Sequence, residues 1–386
     1  MKHAHVIGAG ISGVTTAYYL AEAGYNVTVY DEREYPAMAT SYPNGGQLSA
    51  SNAETWNSWS NVAKGAKWLF KKDAPLKINL TPSLHKYGWF MQFLQAIPHR
   101  DANTVKTCKM ALQAHDLYKA IADHTGTEFD RVDKGILHVY TDPKELHQAR
   151  QTNLLYKQAG LERWEVTADE VRSIEPALDN PDIIGGFYNT QDYTGDIHKF
   201  TVNLMDWLMQ NRSVFYKQYQ VEDLHDFMRI RPGITVLCAG VNSRKLSRDV
   251  GDTLHIYPVK GYSITIHAPG DAPWTSLLDD SAKIVTARLG KDRLRIAGTA
   301  EFTGYNTDIK QARIRPLKQW ARSMIPGINL ESITPWAGLR PMTPNMMPIV
   351  RKSKVVPDLY YNTGHGHLGW TLGAYTAKHI ADLVNT

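Results

Sequence analysis

Short apolar runs that stop at glycine are the clearest pattern in the chain. We predict a buried strand over His3–Ile7, a helix over Ser12–Ala23 and a second strand over Asn26–Tyr30. A strand, a helix and a strand in this order are typical of the start of a parallel α/β sheet. The runs Gly233–Gly240 and Leu359–Gly364 share the apolar character of the first strand, so we expect them in the same sheet.

In the middle of the chain, the spacing of apolar and polar residues predicts longer helices and further strands. Residues 56–125 carry Trp, Lys and His at helical spacing, with the clearest helix over Ala102–His124. Strands of a mixed sheet are predicted over Gly135–Tyr140, Gly186–Tyr188, Tyr262–His267, Lys283–Arg288 and Arg293–Gly298. A further helix is predicted over Asp308–Met324. We therefore expect an α/β domain into which a second domain is inserted twice.

Composition changes this picture little and mainly excludes other classes of protein. A chain of 386 residues, 43% hydrophobic and 21% charged, fits two ordinary globular domains. We find no run of about 18 apolar residues, and three glycines break the apolar start, so we expect a cytoplasmic protein without a membrane span or signal peptide. Cys108 and Cys238 support neither a disulfide framework nor a thiolate metal site. The net charge of +5 fits an anionic small ligand but is too small and scattered to predict nucleic-acid binding.

The turn after the first strand carries the first candidate chemistry. Its letters G-A-G-I-S-G match the G-x-G-x-x-G pattern, and Asp31 ends the second strand 18 residues after Gly13. Gly8 permits the tight turn, Gly10 lets the backbone approach a pyrophosphate, and Gly13 lets the helix pack on the strand. The helix N-terminus offers N–H groups to phosphates, and Asp31 can accept hydrogen bonds from ribose hydroxyls. This context predicts a dinucleotide site.

Four further elements carry a resemblance to a known family. They are Thr40–Ser49, Gly195–Phe200, Tyr257–Ser263, and the pair Gly338–Pro344 and Asn362–Thr371. Together with the dinucleotide motif they span nearly the whole chain. They resemble the D-amino-acid dehydrogenase branch of the FAD-dependent amine and amino-acid oxidase superfamily, to which D-amino-acid oxidase and glycine oxidase belong. The resemblance favours FAD over NAD, a choice that the motif, Glu32 and Arg33 leave open.

The resemblance also implies a fold: a Rossmann-like FAD-binding domain of the α/β class with an inserted α+β substrate domain built on a mixed sheet. Combined with the predicted strands, it places the FAD-binding domain at 1–55, 190–256 and 330–386, and the substrate-binding domain at 56–189 and 257–329. The residues expected to contact FAD are Gly8, Gly10, Ile11, Ser12, Gly13, Asp31, Glu32, Arg33, Thr40, Ser41, Gly45, Gly46, Gln47, Leu48, Val221, Ala239, Gly240, Arg340, Gly366, His367, Leu368, Gly369, Trp370 and Thr371.

The residue types suggest what some of these contacts do. The hydroxyls of Thr40 and Ser41 can donate to phosphate oxygens. Gly45 and Gly46 would let the main chain run against a flat ring, where a Cβ would clash. By resemblance, Val221 stacks on the adenine.

The C-terminal element is expected at the flavin. By resemblance, Gly369–Thr371 lie at the pyrimidine edge of the ring. A helix predicted over Thr371–Val384 would point its N-terminus at the ring and stabilise the anion of the reduced form.

Arg340 is the side chain expected to bind the substrate. The resemblance implies that it clamps a carboxylate, since a guanidinium fork matches a carboxylate with two parallel hydrogen bonds. A structural ion pair is the alternative. Tyr262 is expected near the same carboxylate, although a strand tyrosine could equally belong to the core or the surface. His365 and His367 invite the role of a catalytic base, but we expect His365 to be a turn residue beside the flavin.

The implied reaction is the oxidative deamination of a D-amino acid to a 2-oxo acid and ammonia. With the amine neutral, its lone pair can drive a hydride from Cα to FAD, so no side-chain base need remove the Cα proton. A quinone, an electron-transfer partner or oxygen then reoxidises the flavin. The D configuration rests on the resemblance alone. The alternatives are an oxidase of glycine, sarcosine or a cyclic imino acid, and an FAD-carrying subunit of a hetero-oligomeric dehydrogenase.

Two departures and one surface feature complete the sequence picture. Asn345 and Met346 stand where the family usually has Asp-Gly; a glycine allows positive φ, so we expect Asn345 to take the left-handed conformation instead. The segment from Val221 to Thr235 is short for the family. An early mixture of tryptophan and lysine predicts either a peripheral surface on the inner face of the cytoplasmic membrane or a solvated face. Its members are Trp56, Trp59, Trp68, Trp89, Lys67, Lys71, Lys72 and Lys77. The tryptophans could also line an aromatic pocket or form an ordinary core.

Overall fold

The computed structural model describes residues 2–42, 44–68, 75–79 and 81–386. Pro43, Lys71 and Lys72 of the predicted elements lie outside this part. The strands in chain order are β1 (His3–Ile7), β2 (Asn26–Asp31), β3 (Gln47–Leu48), β4 (Leu76–Ile78), β5 (Ile136–Tyr140), β6 (Trp164–Thr167), β7 (Gly185–Asn189), β8 (Tyr193–Thr194), β9 (Val214–Gln218), β10 (Ile234–Leu237), β11 (Tyr257–His267), β12 (Ser276–Asp279), β13 (Ile284–Leu289), β14 (Arg293–Phe302), β15 (Ile333–Met342), β16 (Ile349–Lys352) and β17 (Leu359–Thr363).

Helices cover these strands. They are α1 (Ile11–Glu22), α2 (Trp59–Trp68), α3 (Leu84–Gln95), α4 (Arg100–Thr125), α5 (Pro143–Ala159), α6 (Ala168–Ile174), α7 (Ile197–Asn211), α8 (Leu224–Ile230), α9 (Ser243–Asp249), α10 (Gln311–Met324) and α11 (Gly369–Asn385).

A six-stranded sheet contains the strands predicted from the apolar runs. Its order is β16-β17-β10-β1-β2-β9, and only β16 and β17 pair antiparallel. Helices α1, α4, α7 and α11 bury one face, with Leu204 and Trp370 in the core between them. Helices α8 and α9 cover the other face through Leu224 and Leu246. Because both faces are buried, β1 and β10 appear in the sequence as continuous apolar runs rather than as alternating ones.

A nine-stranded mixed sheet forms the second domain. Its order is β15-β11-β14-β13-β12-β5-β7-β6, with β4 paired to β14 beside this path. The pairs β5–β12 and β4–β14 are parallel and the others antiparallel. Helix α10 packs Ile314 and Leu317 on one face of this sheet. The predicted α/β fold with an inserted domain on a mixed sheet is confirmed.

The expected domain boundary at residue 330 is wrong. It placed Ile333–Met342 with the FAD-binding domain, but β15 pairs with β11 along the edge of the nine-stranded sheet. Pro335 and Pro341 hid this strand from the apolar pattern, and an edge strand tolerates proline because one side of it donates no ladder hydrogen bonds. Helix α4 was likewise assigned to the substrate-binding domain, but it packs against α11 beside the six-stranded sheet.

The element ends differ from prediction by a few residues. Helix α1 begins at Ile11 after the N-cap Gly10, and α11 begins at Gly369 rather than Thr371. Cys108 and Cys238 are buried free thiols, and burial raises the pKa of each to about 12. Within the described ranges, no helix is both long and apolar enough to cross a membrane.

Candidate active site

The glycines of the first turn divide into packing and ligand-facing positions. Gly8 has φ +103°, and a Cβ there would lie 2.6 Å from the carbonyl oxygen of Cys238 in the turn after β10. A Cβ on Gly13 would overlap the carbonyl of Gly8. At Gly10, by contrast, a Cβ would meet only Ser41 Oγ, at 3.3 Å. Gly8 and Gly13 therefore allow the strand–helix packing, and Gly10 keeps an open side for a ligand.

Two helix N-termini present unpaired N–H groups at this site. Ile11 N donates to Ser41 Oγ at 3.1 Å, while the N–H groups of Gly10 and Ser12 have no partner among the described residues. At the start of α11, the N–H groups of Gly369–Thr371 are also unpaired within the described part. Such donors, with the positive end of the helix dipole, suit a pyrophosphate at α1 and a carbonyl oxygen or anion at α11. The donor set fits the two polar regions of FAD.

The acid at the end of β2 holds the turn together. Asp31 Oδ2 accepts from Ala9 N at 2.7 Å, and Oδ1 accepts from Arg33 N at 3.0 Å. The side chains of Glu32 and Arg33 pair at 3.4 Å and are largely exposed. The contact of Asp31 with ribose hydroxyls stays a prediction, and it would use the remaining lone pairs of the carboxylate.

The other residues expected at the adenosine follow neighbouring parallel strands. Ala239 and Gly240 come directly after β10, and Val221 follows β9 and packs against the cluster around Leu224. Because β1, β2, β9 and β10 run parallel, their carboxyl ends meet at one edge of the sheet, where α/β proteins bind nucleotides.

Residues of the loop before β3 form hydrogen bonds with the nine-stranded sheet, where contacts with FAD were expected from the sequence. Thr40 Oγ1 donates to the carbonyl of Leu339 at 2.7 Å, so the expectation that this hydroxyl donates to a phosphate is wrong. Ser41 Oγ accepts from Ile11 N, which leaves its own hydrogen free for a ligand. Gln47 Nε2 donates to Ser276 Oγ at 2.7 Å, and Leu48 is fully buried.

Gly45 and Gly46 are small for a different reason than predicted. A Cβ on Gly45 would lie 2.8 Å from Val285 Cγ2, and one on Gly46 would lie 2.7 Å from Ala287 Cβ. Gly46 also has φ +77°. Their close neighbour is the side-chain surface of β13, so the expected clash with a flat ring is not what requires glycine here.

The loop between β17 and α11 is fixed by His365 and Trp370. His365 Nε2 hydrogen-bonds Thr376 Oγ1 at 2.9 Å, Nδ1 lies 3.4 Å from Ser12 Oγ, and burial lowers the pKa of His365 to about 4. This histidine is a structural link between α1 and α11. The Trp370 ring is buried against Tyr118 and Phe200. Trp370 can therefore contact a cofactor only through its main chain.

His367 lies close enough to Arg340 to feel its charge, and it approaches the backbone of Asn52. Its ring stacks on Trp56, with the centroids 4.6 Å apart. Both ring nitrogens are buried, and neither makes a hydrogen bond of normal geometry with the described residues. Burial, together with the positive charge of Arg340, lowers the pKa of His367 to about 3. A neutral imidazole with unsatisfied nitrogens is what a site for a polar ligand presents before the ligand binds.

Arg340 is a cation without a carboxylate. Its Nη1 donates to the carbonyl of Thr299 at 2.8 Å, and no acid of the described residues forms an ion pair with it. Gly261 lies directly beneath the guanidinium, and a Cβ there would overlap it. Burial lowers the pKa of Arg340 to about 10, which still leaves it charged at neutral pH. The predicted alternative of a structural ion pair is absent from the described part, and the arrangement favours an anionic ligand.

Tyr262 does not share this site. In β11 it pairs with Ala337, whereas Val259 pairs with Arg340, so the two side chains point to opposite faces of the sheet. The buried Tyr262 hydroxyl donates to Glu301 Oε2 at 2.9 Å. The expected direct contact of Tyr262 with the substrate is therefore wrong. Sequence reasoning gave no role to Gly261 or Thr299; Gly261 could have been found as the neighbour of Tyr262 on the other face of the strand. Trp56 was named among the tryptophans that could line an aromatic pocket, and it stacks on His367.

The left-handed residue after Pro344 is Met346 and not Asn345. Met346 has φ +62°, while Asn345 Oδ1 accepts from Met347 N at 3.2 Å. A left-handed non-glycine residue costs roughly 1–2 kcal/mol. Burial of the Met346 side chain against Trp89 and Phe302 contributes roughly 1.5–3 kcal/mol and offsets this strain.

The packing of Gly13 gives a direct test of the cofactor site. Gly13→Val should abolish retention of FAD, because its side chain would displace the turn whose N–H groups are expected to bind the pyrophosphate. The measurement is the flavin absorbance of the purified variant, followed by titration with added FAD. Gly88→Val is the control, since a Cβ at Gly88 in α3 meets nothing within 4 Å. A yellow, FAD-replete Gly13→Val protein would contradict the assignment.

Comparison with known proteins covers nearly the whole chain. The model of the DAO family of FAD-dependent oxidoreductases matches residues 3–383. The chain is 50% identical to D-amino acid dehydrogenase 3 of Mesorhizobium japonicum, over 99% of this chain and 96% of the relative. It is 38% identical to D-amino acid dehydrogenase of Paramagnetospirillum magneticum, over 98% and 94% of the two chains.

Solved structures show the same fold at lower identity. Glycine oxidase from Bacillus cereus has a TM-score of 0.74 and 19% identity, covering 100% of this chain and 97% of that one. L-proline dehydrogenase from P. horikoshii has a TM-score of 0.75 and 17% identity, covering 99% and 93%. The chain belongs to the DAO family of FAD-dependent oxidoreductases, which confirms the family and the cofactor predicted from its motifs.

Proposed function

We propose that this chain oxidatively deaminates a D-amino acid to the 2-oxo acid and ammonia. The observation that carries the proposal is Arg340, a half-buried residue whose guanidinium pKa is lowered by burial and which has no carboxylate partner in the described part. An amino acid brings the missing carboxylate. The 50% identity to a D-amino acid dehydrogenase supports this substrate class and the D configuration.

The side chains around Arg340 bind and orient more than they transfer protons. The Arg340 fork would donate two parallel hydrogen bonds to the carboxylate, which would place Cα in a fixed position. His367 and Trp56 stack beside it and form an uncharged wall. Bound FAD supplies the oxidising chemistry as the acceptor of the hydride from Cα.

The protein side of the cofactor site would hold FAD at both ends. Gly10 and Ser12 would donate to the pyrophosphate, and the amides of Gly369–Thr371 would face the pyrimidine edge. The positive end of α11 favours negative charge at that edge, so it would stabilise the reduced cofactor.

Anaerobic titration of the holoenzyme tests the function. D-alanine should bleach the flavin absorbance, and L-alanine, glycine and proline should leave it unchanged. Bleaching by glycine or proline instead would favour an oxidase of glycine or of a cyclic imino acid. A flavin that none of the four reduces would contradict the proposal and point to a subunit that depends on a partner chain.

The same titration tests the role of Arg340. Arg340→Met should retain FAD but lower kcat/KM for D-alanine by about a hundredfold or more, since a charge-assisted bidentate pair is lost. Arg150→Met is the matched control, because it removes a guanidinium from an exposed pair with Glu165. Unchanged kinetics in Arg340→Met would refute the assignment.

The pH profile of kcat/KM should show no limb from the ionisation of His365 or His367. The folded pKa values of His365 and His367 lie below the ordinary value of 6.5, at about 4 and about 3, so both rings are already neutral above about pH 5. We expect kcat/KM to rise with pH as the substrate amine loses its proton, and His367→Gln to keep the shape of the profile. A limb near pH 6.5 that disappears in His367→Gln would show that His367 acts as a base.

We further propose that electrons leave to a quinone or another electron-transfer acceptor through contact with a membrane. In support, α3 exposes Leu84, Tyr87 and Met91 at helical spacing, with exposed fractions of 92%, 51% and 58%. The holoenzyme should sediment with anionic vesicles, and Leu84→Glu with Met91→Glu should abolish this. Met209→Glu on α7 is the control for added charge. Wild-type protein that stays in the supernatant would rule out the membrane contact.

A further inference from the structure

The pairing of β11 with β14 contains one extra residue next to Arg340. From His267 to Tyr262 the register is regular, with Tyr262 opposite Gly298. The next pair is Lys260 with Glu301. Two residues of β14, Thr299 and Ala300, therefore stand opposite the single residue Gly261 of β11. We call Thr299–Ala300 the bulge.

The bulge decides which face of the sheet Glu301 occupies. In an unbroken strand, side chains alternate, and Glu301 would share the face of Thr299 and of Arg340. The extra residue shifts the alternation, so Glu301 shares the face of Tyr262 and Lys260. The carboxylate is thereby kept from Arg340.

On its own face, Glu301 is enclosed by donors. The Tyr262 hydroxyl donates to it at 2.9 Å, Lys260 Nζ lies at 3.4 Å, and Arg313 Nε of α10 lies at 3.2 Å. The Lys260 and Glu301 side chains are fully buried, and Lys260 also donates to Asn306 Oδ1 at 2.8 Å. The two cations compensate the charge of the buried carboxylate, and the Tyr262 hydroxyl adds a directed hydrogen bond to Oε2, so loss of that hydroxyl frees the carboxylate to move. The network anchors the strand immediately after the bulge.

On the opposite face, the bulge supplies the hydrogen bond that orients Arg340. Thr299 has φ +63°, a conformation that L residues rarely adopt. Its carbonyl accepts from Arg340 Nη1 at 2.8 Å. Gly261, opposite the bulge, leaves space for the guanidinium. The direction of the Arg340 fork thus depends on a carbonyl whose position the Glu301 network holds.

We propose that Tyr262 and Glu301 are positioning residues for substrate binding and act through the bulge on Arg340. They hold Thr299 so that the guanidinium points one edge at the substrate carboxylate, and they keep Glu301 from occupying that edge. The inference rests on the proposed role of Arg340 as the carboxylate site. It assigns to Tyr262 an indirect role in place of the direct contact expected from the sequence.

The test compares Tyr262→Phe with Tyr140→Phe in the holoenzyme. Both lose a buried hydroxyl that donates to a carboxylate, at 2.9 Å to Glu301 and at 2.8 Å to Asp280. Tyr140 lies on β5, five strands from β15, so it controls for loss of stability without touching Arg340. The readouts are the Kd of propionate, measured by perturbation of the flavin spectrum, and the KM and kcat for D-alanine.

Tyr262→Phe should raise the Kd of propionate and the KM for D-alanine about fivefold to tenfold, with kcat changed less than twofold and FAD retained. Tyr140→Phe should leave the Kd of propionate, the KM and kcat for D-alanine, and the retention of FAD unchanged. Equal effects of the two variants, or a loss confined to kcat or FAD retention, would overturn the inference.

If Tyr262→Phe does not fold, Thr299→Gly replaces it. Glycine accepts φ +63° but loosens the carbonyl, so this variant should raise the Kd of propionate and the KM for D-alanine. Unchanged values would overturn the inference.

Arg340→Lys separates failure of this inference from failure of the proposed function. If Arg340→Lys leaves propionate binding intact, the carboxylate site is elsewhere and the proposed function of Arg340 fails. If Arg340→Lys weakens binding while Tyr262→Phe and Thr299→Gly do not, only the positioning role fails. Tyr262→Phe added to Arg340→Lys should weaken propionate no further, because its effect passes through the fork.

Discussion

The positive charge of Arg340 is the constraint on which the proposed site depends. The described residues supply no carboxylate to pair with it. A guanidinium withdrawn from water is unfavourable unless a counter-charge reaches it, so the surrounding structure has to keep it charged and keep it free. A single hydrogen bond to the Thr299 carbonyl orients it, and a pKa near 10 leaves it protonated. The same positive charge, together with burial, keeps His367 neutral beside it. The arrangement therefore suits an anionic ligand, which would complete the charge pairing of Arg340.

The six-stranded sheet and the nine-stranded sheet come together near Arg340. The parallel sheet brings the carboxyl ends of its strands and the N-terminus of α1 to one edge, where unpaired N–H groups can bind phosphates. The edge strand β15 then carries Arg340 from the second sheet, and the Thr40 hydroxyl ties the FAD side to it through Leu339. The proposed cofactor and substrate sites are thus joined by a hydrogen bond and by strand pairing.

Predictions from the sequence succeeded where the reason for a residue is local. Gly8 and Gly13 are required by a turn and a helix only a few residues away, and the pattern of strand, glycine and helix states that requirement directly. The resemblance singled out Arg340, and the structure places it without a carboxylate partner among the described residues. From the sequence, Gly45 was explained by a flat ring, but the group that leaves no space for a Cβ is the side chain of Val285, 240 residues further along the chain. No local pattern could name that neighbour.

The sequence by itself indicated the parallel sheet and the dinucleotide motif, because both follow from periods and spacings within one segment. The resemblance carried by motifs along the whole chain gave the family and FAD, and it marked Arg340 as the residue expected to bind the substrate. The sequence also determined that Gly261 and Tyr262 face opposite sides of their strand. Only the tertiary structure decided which side holds Arg340 and which holds Glu301. That choice depends on the register of three strands and on one extra residue in β14, and register is set by long-range pairing that alternation within a single strand does not specify.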